Sequence, residues 1–132
     1  MNKLSGFIKN IKSIEAISHL HIEVDDQIFS VLLLDDIDAY AIGEKVDLVF
    51  KETEVMIATN DSIVSARNAF ISPITSITVG DILSEIHFDF NGKDITSIIT
   101  KGALLEMKCK VGECFKWFVK SNEVSIVKTQ ME

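Results

Sequence analysis

Basic residues, cysteine and stacking aromatics are all scarce in this chain. Thirteen Lys and Arg face twenty Asp and Glu, a formal net charge of −7, with one Trp and one Tyr among 132 residues. Non-specific nucleic-acid binding needs a basic footprint, and single-strand binding needs stacking platforms in a basic groove. Neither is provided, so no direct nucleic-acid partner is expected. The two cysteines, Cys109 and Cys114, do not have the usual metal-site spacing, and no His or further Cys lies nearby. Two reduced, half-buried thiols are the simpler reading and a disulfide the alternative. Long apolar runs are missing too. The longest, 31–34, is far too short to cross a membrane, and the opening Met1-Asn2-Lys3-Leu4-Ser5-Gly6 lacks the apolar stretch of a signal peptide. A soluble cytoplasmic protein is expected.

Catalytic signatures are also lacking. There is no Gly-x-Ser-x-Gly elbow, Walker loop or dinucleotide fingerprint. Acidic pairs such as Asp25-Asp26 and Asp35-Asp36 fall in turns, where Asp is favoured for local hydrogen bonding. His19 and His21 share one face of a strand, and His87 repeats the place of His21, which reads as a recurrent outward position. No carboxylate completes a metal set at a recognisable spacing. The expectation is a protein with no catalytic residues, no metal and no covalent cofactor.

What the chain does contain is itself, twice. At an offset of 66, Asn2 meets Asn68, Ile8 meets Ile74, Ile11 meets Ile77, Ser18 meets Ser84 and His21 meets His87. A three-residue insertion then moves the offset to 69, where Gly43 meets Gly112, Glu44 meets Glu113, Lys51 meets Lys120 and Glu54 meets Glu123. Apolar positions match more widely, with Leu20 on Ile86, Ile22 on Phe88 and Val24 on Phe90. The copies divide as 1–61 and 62–132, with the polar stretch Thr59-Asn60-Asp61-Ser62 as linker.

Each copy reads as strands. Leu20-His21-Ile22-Glu23-Val24 and Ile86-His87-Phe88-Asp89-Phe90 alternate apolar and polar residues. Asp25-Asp26 and Asn91-Gly92 then supply turn chemistry, the second a strong hairpin signal. Return strands follow at 28–33 and 95–100, a helical turn at 36–41 and 102–108, and strands at 45–50 and 114–119. The last strands are expected at 55–58 and 124–127. The predicted fold is all-β: two tandem small barrels of the oligonucleotide-binding (OB-like) type, each with one short helical turn. Units of about 65 residues bury little surface alone, so the halves should pack on each other or on another subunit.

Two stretches combine a cation with a hydroxyl and backbone N–H groups at a strand end: Ser65-Ala66-Arg67-Asn68 and Lys120-Ser121. A tetrahedral dianion has acceptors and no donors, so it is held by converging N–H, O–H and cationic groups. Ser65-Ala66-Arg67-Asn68-Ala69-Phe70, followed by Ile74 and Ile77, resembles the opening of a molybdate-binding Mop or TOBE domain. Ile98-Ile99-Thr100, Gly112 and Lys120-Ser121-x-x-Val124 are similar to that family's later motifs, in the same order. The resemblance spans nearly the whole chain as two domains, like the di-domain molbindins and the sensing half of molybdate-responsive regulators.

The resemblance implies binding of molybdate or tungstate at domain or subunit interfaces, for storage, buffering or delivery. It assigns the anion to Ser65, Ala66, Arg67, Thr100, Lys120 and Ser121, with Asn68 fixing the motif's backbone. Ser65, Thr100 and Ser121 would give hydroxyl donors, Ala66 and Ser121 amide donors, and Arg67 and Lys120 positive charge. The first copy departs from the pattern: it opens Met1-Asn2, has Leu34 in place of Thr100, and Lys51-Glu52 in place of Lys120-Ser121. It is expected to bind nothing alone, or to lend Lys51 to a shared site. Ser72-Pro73 stands where the family carries a glycine and its neighbour. Exposed strand edges and interfacial sites both point to a homo-oligomer, a dimer or trimer. The alternative function is a regulatory module that senses the anion and acts through a partner, a transporter ATPase or a separate DNA-binding subunit.

Overall fold

The computed structural model describes residues 1–34 and 39–129. Among these residues ten strands form two curled five-stranded sheets, each a small OB-like barrel. In the first copy they are β1 (Asn2–Ile14), β2 (Ile17–Val24), β3 (Gln27–Leu33), β4 (Lys45–Phe50) and β5 (Met56–Ala58). The second copy supplies β6 (Asn68–Val79), β7 (Leu83–Phe90), β8 (Lys93–Thr100), β9 (Cys114–Val119) and β10 (Ser125–Lys128). The two longest strands, β1 and β6, went unread in the sequence. Each is broken by a register shift, at Ile8/Asn10 and Ile74/Ser76, which throws its alternation out of phase.

Turn chemistry acts as predicted. Asn91 and Gly92 have φ of 52° and 84°, and Asp25 and Asp26 have 46° and 67°. Two successive left-handed residues match the twist of the strands they join. A third such turn, Glu15-Ala16, links β1 to β2. The helical turn expected at 102–108 is the short helix α1 (Lys101–Met107), which turns Leu104 into the core. Its first-copy counterpart, expected at 36–41, lies partly outside the described residues, and the Asp35-Asp36 turn lies wholly outside them.

The sheets do not follow chain order. One is ordered β10-β4-β1-β2-β3 and the other β5-β9-β6-β7-β8. Each copy therefore sends its last strand to the other barrel: β5 pairs with β9, and β10 pairs with β4. The link at 59–62 joins the copies in sequence, but the sheets interlock across it. Just before each exchanged strand a 3₁₀ turn, Glu52–Glu54 or Ser121–Glu123, lies against β8 or β3 of the receiving barrel. The Ser97 hydroxyl donates to the Val55 carbonyl at 2.6 Å, fastening the first crossing segment.

One continuous core spans both barrels. Phe29 of β3 meets Phe70, Phe90 and Trp117 of the second barrel at ring-centre distances of 4.7, 5.8 and 6.4 Å. Phe50 stacks on Trp117 at 6.3 Å. Aromatic pairs of this kind add about 0.5–1.5 kcal/mol each beyond their buried area. The joint between the barrels is thus core, not a wet contact. In the second copy Ser72 replaces Gly6, whose added Cβ would lie 2.5 Å from the Glu23 carbonyl oxygen. There the Ser72 hydroxyl accepts the buried Trp117 indole N–H at 3.0 Å, so the departure from glycine has a structural use.

Candidate functional site

The first rung of the ladder between β6 and β9 is Asn68 opposite Val119. Antiparallel geometry then brings the next residues out side by side, Arg67 before the rung and Lys120 after it. This single register joins the two stretches singled out in the sequence, Ser65-Ala66-Arg67-Asn68 and Lys120-Ser121. Ala66 is buried, while Ser65, Arg67 and Lys120 are exposed. The Arg67 guanidinium turns back on its own loop, with Nε donating to the Ser65 carbonyl at 3.4 Å and Nη2 to the Val64 carbonyl at 3.2 Å. Among the described residues neither Arg67 nor Lys120 has an acidic partner. Two uncompensated cations at one strand end are conspicuous in a protein of net charge −7.

Asn68 is fully buried and reaches across to the first barrel. Its Nδ2 donates to the Ser30 carbonyl at 2.9 Å, and its Oδ1 accepts the Ser30 N–H at 2.7 Å. The Ser30 hydroxyl in turn accepts from Ser121 Oγ at 2.9 Å and lies 2.6 Å from His19 Nε2. Ser30 sits on the outer side of β3, yet it is buried because the crossing segment after β9 covers it. The site is therefore assembled where the chain passes from one barrel to the other. Sequence reasoning missed Ser30; its only signal was its match to Thr96 at the offset of 66. His19 does lie on the outer side of β2, as the alternation predicts, but half-buried and hydrogen-bonded.

Thr100 stands elsewhere. It pairs with Leu83 at the end of the second sheet remote from Asn68. Its Oγ1 accepts the Ala103 N–H at 3.1 Å, capping α1, and so its hydroxyl proton is left to donate. The surface beside it is apolar: Ile82 is 76% exposed, and Leu83 and Val79 are exposed as well. Ile63, two residues before Ser65, is 99% exposed.

The first copy reproduces the framework with Lys51 at the place of Lys120 but with Met1 at the place of Arg67. Asn2 Nδ2 donates to the Thr96 carbonyl at 2.9 Å, and its Oδ1 accepts the Thr96 N–H at 2.8 Å. Glu52, at the place of Ser121, takes the Met1 ammonium at 2.9 Å, and this bond holds its carboxyl below the ordinary range. Lys51 lines a small cleft of about 180 Å³ together with Glu54 and Glu123, an acidic setting for an anion.

The remaining candidates do not converge. His87 hydrogen-bonds Asp94 at 2.9 Å on an outer strand face, with Glu85 3.5 Å away. Burial lowers its pKa, but the two carboxylates outweigh that and the net shift is upward. Among the described residues no group of three or more His, Cys, Asp or Glu is placed to hold a metal ion. Both cysteines are free; Cys109 is half-buried, whereas Cys114 is exposed rather than half-buried because it opens β9 at the barrel rim. No helix among the described residues is long and apolar enough to cross a membrane.

No family model matches the sequence, and no curated protein matches it significantly. Among solved structures, the chain is similar to one described as the cytoplasmic molybdate-binding protein ModG, in a form grown from PEG with molybdate bound. The TM-score is 0.90 with 23% sequence identity, covering 97% of this chain and 96% of that one. The likeness is one of fold, and it runs through both barrels.

Proposed function

We propose that this chain binds a tetrahedral oxyanion, molybdate or tungstate, and stores, buffers or delivers it as a two-domain molbindin of the cytoplasm. The observation that carries this reading is the pair of cations, Arg67 and Lys120, that leave one strand ladder together without a carboxylate partner among the described residues. A dianion supplies the missing charge. Ser65 and Ala66 on one side and Ser121 on the other are the sequence neighbours of these cations and would supply a hydroxyl and backbone N–H groups, and charge-assisted hydrogen bonds are the strong ones. The resemblance of these motifs to Mop domains, and the fold shared with a protein described as binding molybdate, support the reading further.

Thr100 completes the donor set from a second copy of the chain. Its free hydroxyl proton, and the exposed apolar residues beside both it and Ser65, support an assembly that joins these two surfaces. Binding is passive: the anion exchanges its hydration shell for fixed donors, and no bond is made or broken. The first copy contributes at most Lys51, because Glu52 already places a carboxylate where the second copy has Ser121.

Calorimetric titration with molybdate tests the proposal, with sulfate as competitor and Lys120→Ala as control. Saturable binding that sulfate does not mimic and Lys120→Ala loses is the expected result. The absence of heat and of a thermal shift with either molybdate or tungstate would overturn it.

A further inference from the structure

The Ser121 hydroxyl is already committed. It donates to Ser30 Oγ at 2.9 Å, and a hydroxyl has only one proton to give. Ser30 Oγ, having accepted that proton, keeps its own to give, and His19 Nε2, 2.6 Å away, accepts it when the neutral ring carries its proton on Nδ1. In that tautomer the chain of bonds runs Ser121 to Ser30 to His19. In this state Ser121 presents lone pairs, not a proton, to anything bound beside Lys120. An oxyanion there would meet a repelling oxygen.

Reversing the chain cures the mismatch. A proton on Nε2 does this: Nε2–H donates to Ser30, Ser30 donates to Ser121, and the Ser121 proton is free to point at the anion. Of the two ring forms that carry it, the neutral Nε2–H tautomer and the imidazolium, only the imidazolium also sets a positive charge beside the dianion. We propose that His19 is a positioning residue for the oxyanion site: protonation of His19 reverses the Ser30–Ser121 hydroxyl chain, so that anion uptake carries a proton with it. The inference rests on the oxyanion reading above and deepens it by naming a residue and a linkage which the motif comparison does not contain.

The surroundings of His19 set the direction of the effect. Burial first, then the charges of His21 on its own strand and Lys12 on β1, hold its pKa below the ordinary histidine value. From β3 it faces Ser30 and, in the ladder, Leu32. The segment after β9 adds Ser121, which is flanked in sequence by Lys120 and, two residues on, Glu123. None of these contacts is a carboxylate hydrogen-bonded to the ring. His19 is therefore neutral in the free protein near pH 7, and a bound dianion supplies the missing negative field that favours the imidazolium. The second barrel is built differently: Glu85 stands at the place of His19, and Thr96, the counterpart of Ser30, donates to Asp94 at 3.0 Å and lies 3.1 Å from His87 Nδ1, which is itself hydrogen-bonded to Asp94.

The test is molybdate titration of the full-length protein between pH 6 and 8, in buffers of different ionisation enthalpy, alongside His19→Gln and Ser30→Ala. Wild type should take up close to one proton per anion bound at this site, with affinity rising up to about tenfold per unit fall in pH. His19→Gln, which can still hydrogen-bond Ser30, should bind with a flat pH profile and no proton uptake. Ser30→Ala, with the relay cut, should also be flat. In the free protein, ¹⁵N spectra of the His19 ring should show the Nδ1–H tautomer, changing to imidazolium on saturation. Wild-type binding without pH dependence, or pH dependence that survives in His19→Gln, would overturn this inference and leave the oxyanion reading standing. Failure of wild type to bind molybdate at any of these pH values would overturn both.

Discussion

Asn2 and Asn68 make the same pair of hydrogen bonds in opposite directions, each clasping one backbone residue of the barrel to which it does not belong. Asn2 holds Thr96, and Asn68 holds Ser30. The pairs stand at one offset of 66 in both members, so the contact is a pseudo-twofold feature of the duplicated chain. All four residues are buried. Truncating either Asn leaves a backbone N–H and a carbonyl of a strand without partners and away from water, at about 1–3 kcal/mol for each group. Asn2→Ala and Asn68→Ala should therefore each lower stability by about 2–6 kcal/mol in denaturant titrations. A loss under about 0.5 kcal/mol would show that water replaces the amide and that the clasp is not structural.

Much of this was legible in the sequence, and the limits have physical causes. The Asn2–Asn68 match was the first identity of the repeat, and the Asn91-Gly92 turn has the left-handed pair it promised. β4 and β9 begin and end where their patterns do. The exchange of β5 and β10 was not legible, because a last strand with the right alternation fits its own barrel and its neighbour's equally well. Ser30 and His19 were invisible as site residues for a related reason. They come from the barrel that lacks the motif, and only the crossing segment brings Ser121 to them. Thr100 was placed correctly as the residue before a helix, but a sequence does not say that it stands at the far end of the sheet.

The site's charges can be separated from one another. Arg67 and Lys120 are exposed and unpaired among the described residues, so replacing either should leave folding nearly unchanged. A charge-assisted hydrogen bond to a bound anion contributes about 1.5–3 kcal/mol, so Arg67→Ala and Lys120→Ala should each weaken molybdate binding about 10- to 100-fold. Lys51→Ala, in its acidic cleft, should change affinity less than threefold. Equal losses for Lys51 and Lys120 would mean that both copies hold the anion. Titration of the three variants, with melting temperatures as the control for folding, decides between these outcomes.

Acid should act first on the exchanged strand β10. Asp47 of β4 accepts from Ser5 at 2.6 Å and from Thr129, just past β10, at 3.2 Å, with Lys3 3.6 Å away. The Ser5 bond is the leading cause of a lowered pKa, opposed by burial and assisted by Thr129 and Lys3. A carboxylate whose folded pKa lies below its unfolded value contributes stability that is complete above the unfolded value, about 3.9, and lost as pH falls through the folded one. Wild type should thus lose stability below about pH 4 more steeply than Asp47→Asn, which lacks this titration. Hydrogen exchange at β10 should rise before exchange at β1 or β2. Parallel acid profiles for the two proteins would show that Asp47 does not control the strand.

The reciprocal exchange makes a definite statement about the halves. A chain of residues 1–61 contains β1 to β4 and, as its last strand, β5, which in the intact protein lies on β9 rather than on β4. Such a half has a barrel with an open β4 edge and a strand with no barrel of its own. Unpaired edges recruit other chains. The repeat relation shows what will be recruited: β5 matches β10 in sequence at the offset of 69, and β10 is the strand that β4 takes. The isolated half should therefore form a dimer in which each copy lends β5 to its partner's β4. A monomer would require the crossing segment at 51–55 to fold back on its own sheet, in place of the path it takes in the intact chain, where Ser97 of β8 fastens it to the other barrel. Light scattering on 1–61 at micromolar concentration should give twice the chain mass, and mixing with 62–132 should convert it to the one-to-one complex. A well-dispersed, cooperatively folding monomer of 1–61 would show that strand exchange is a choice made by the tandem arrangement, not a property built into each repeat.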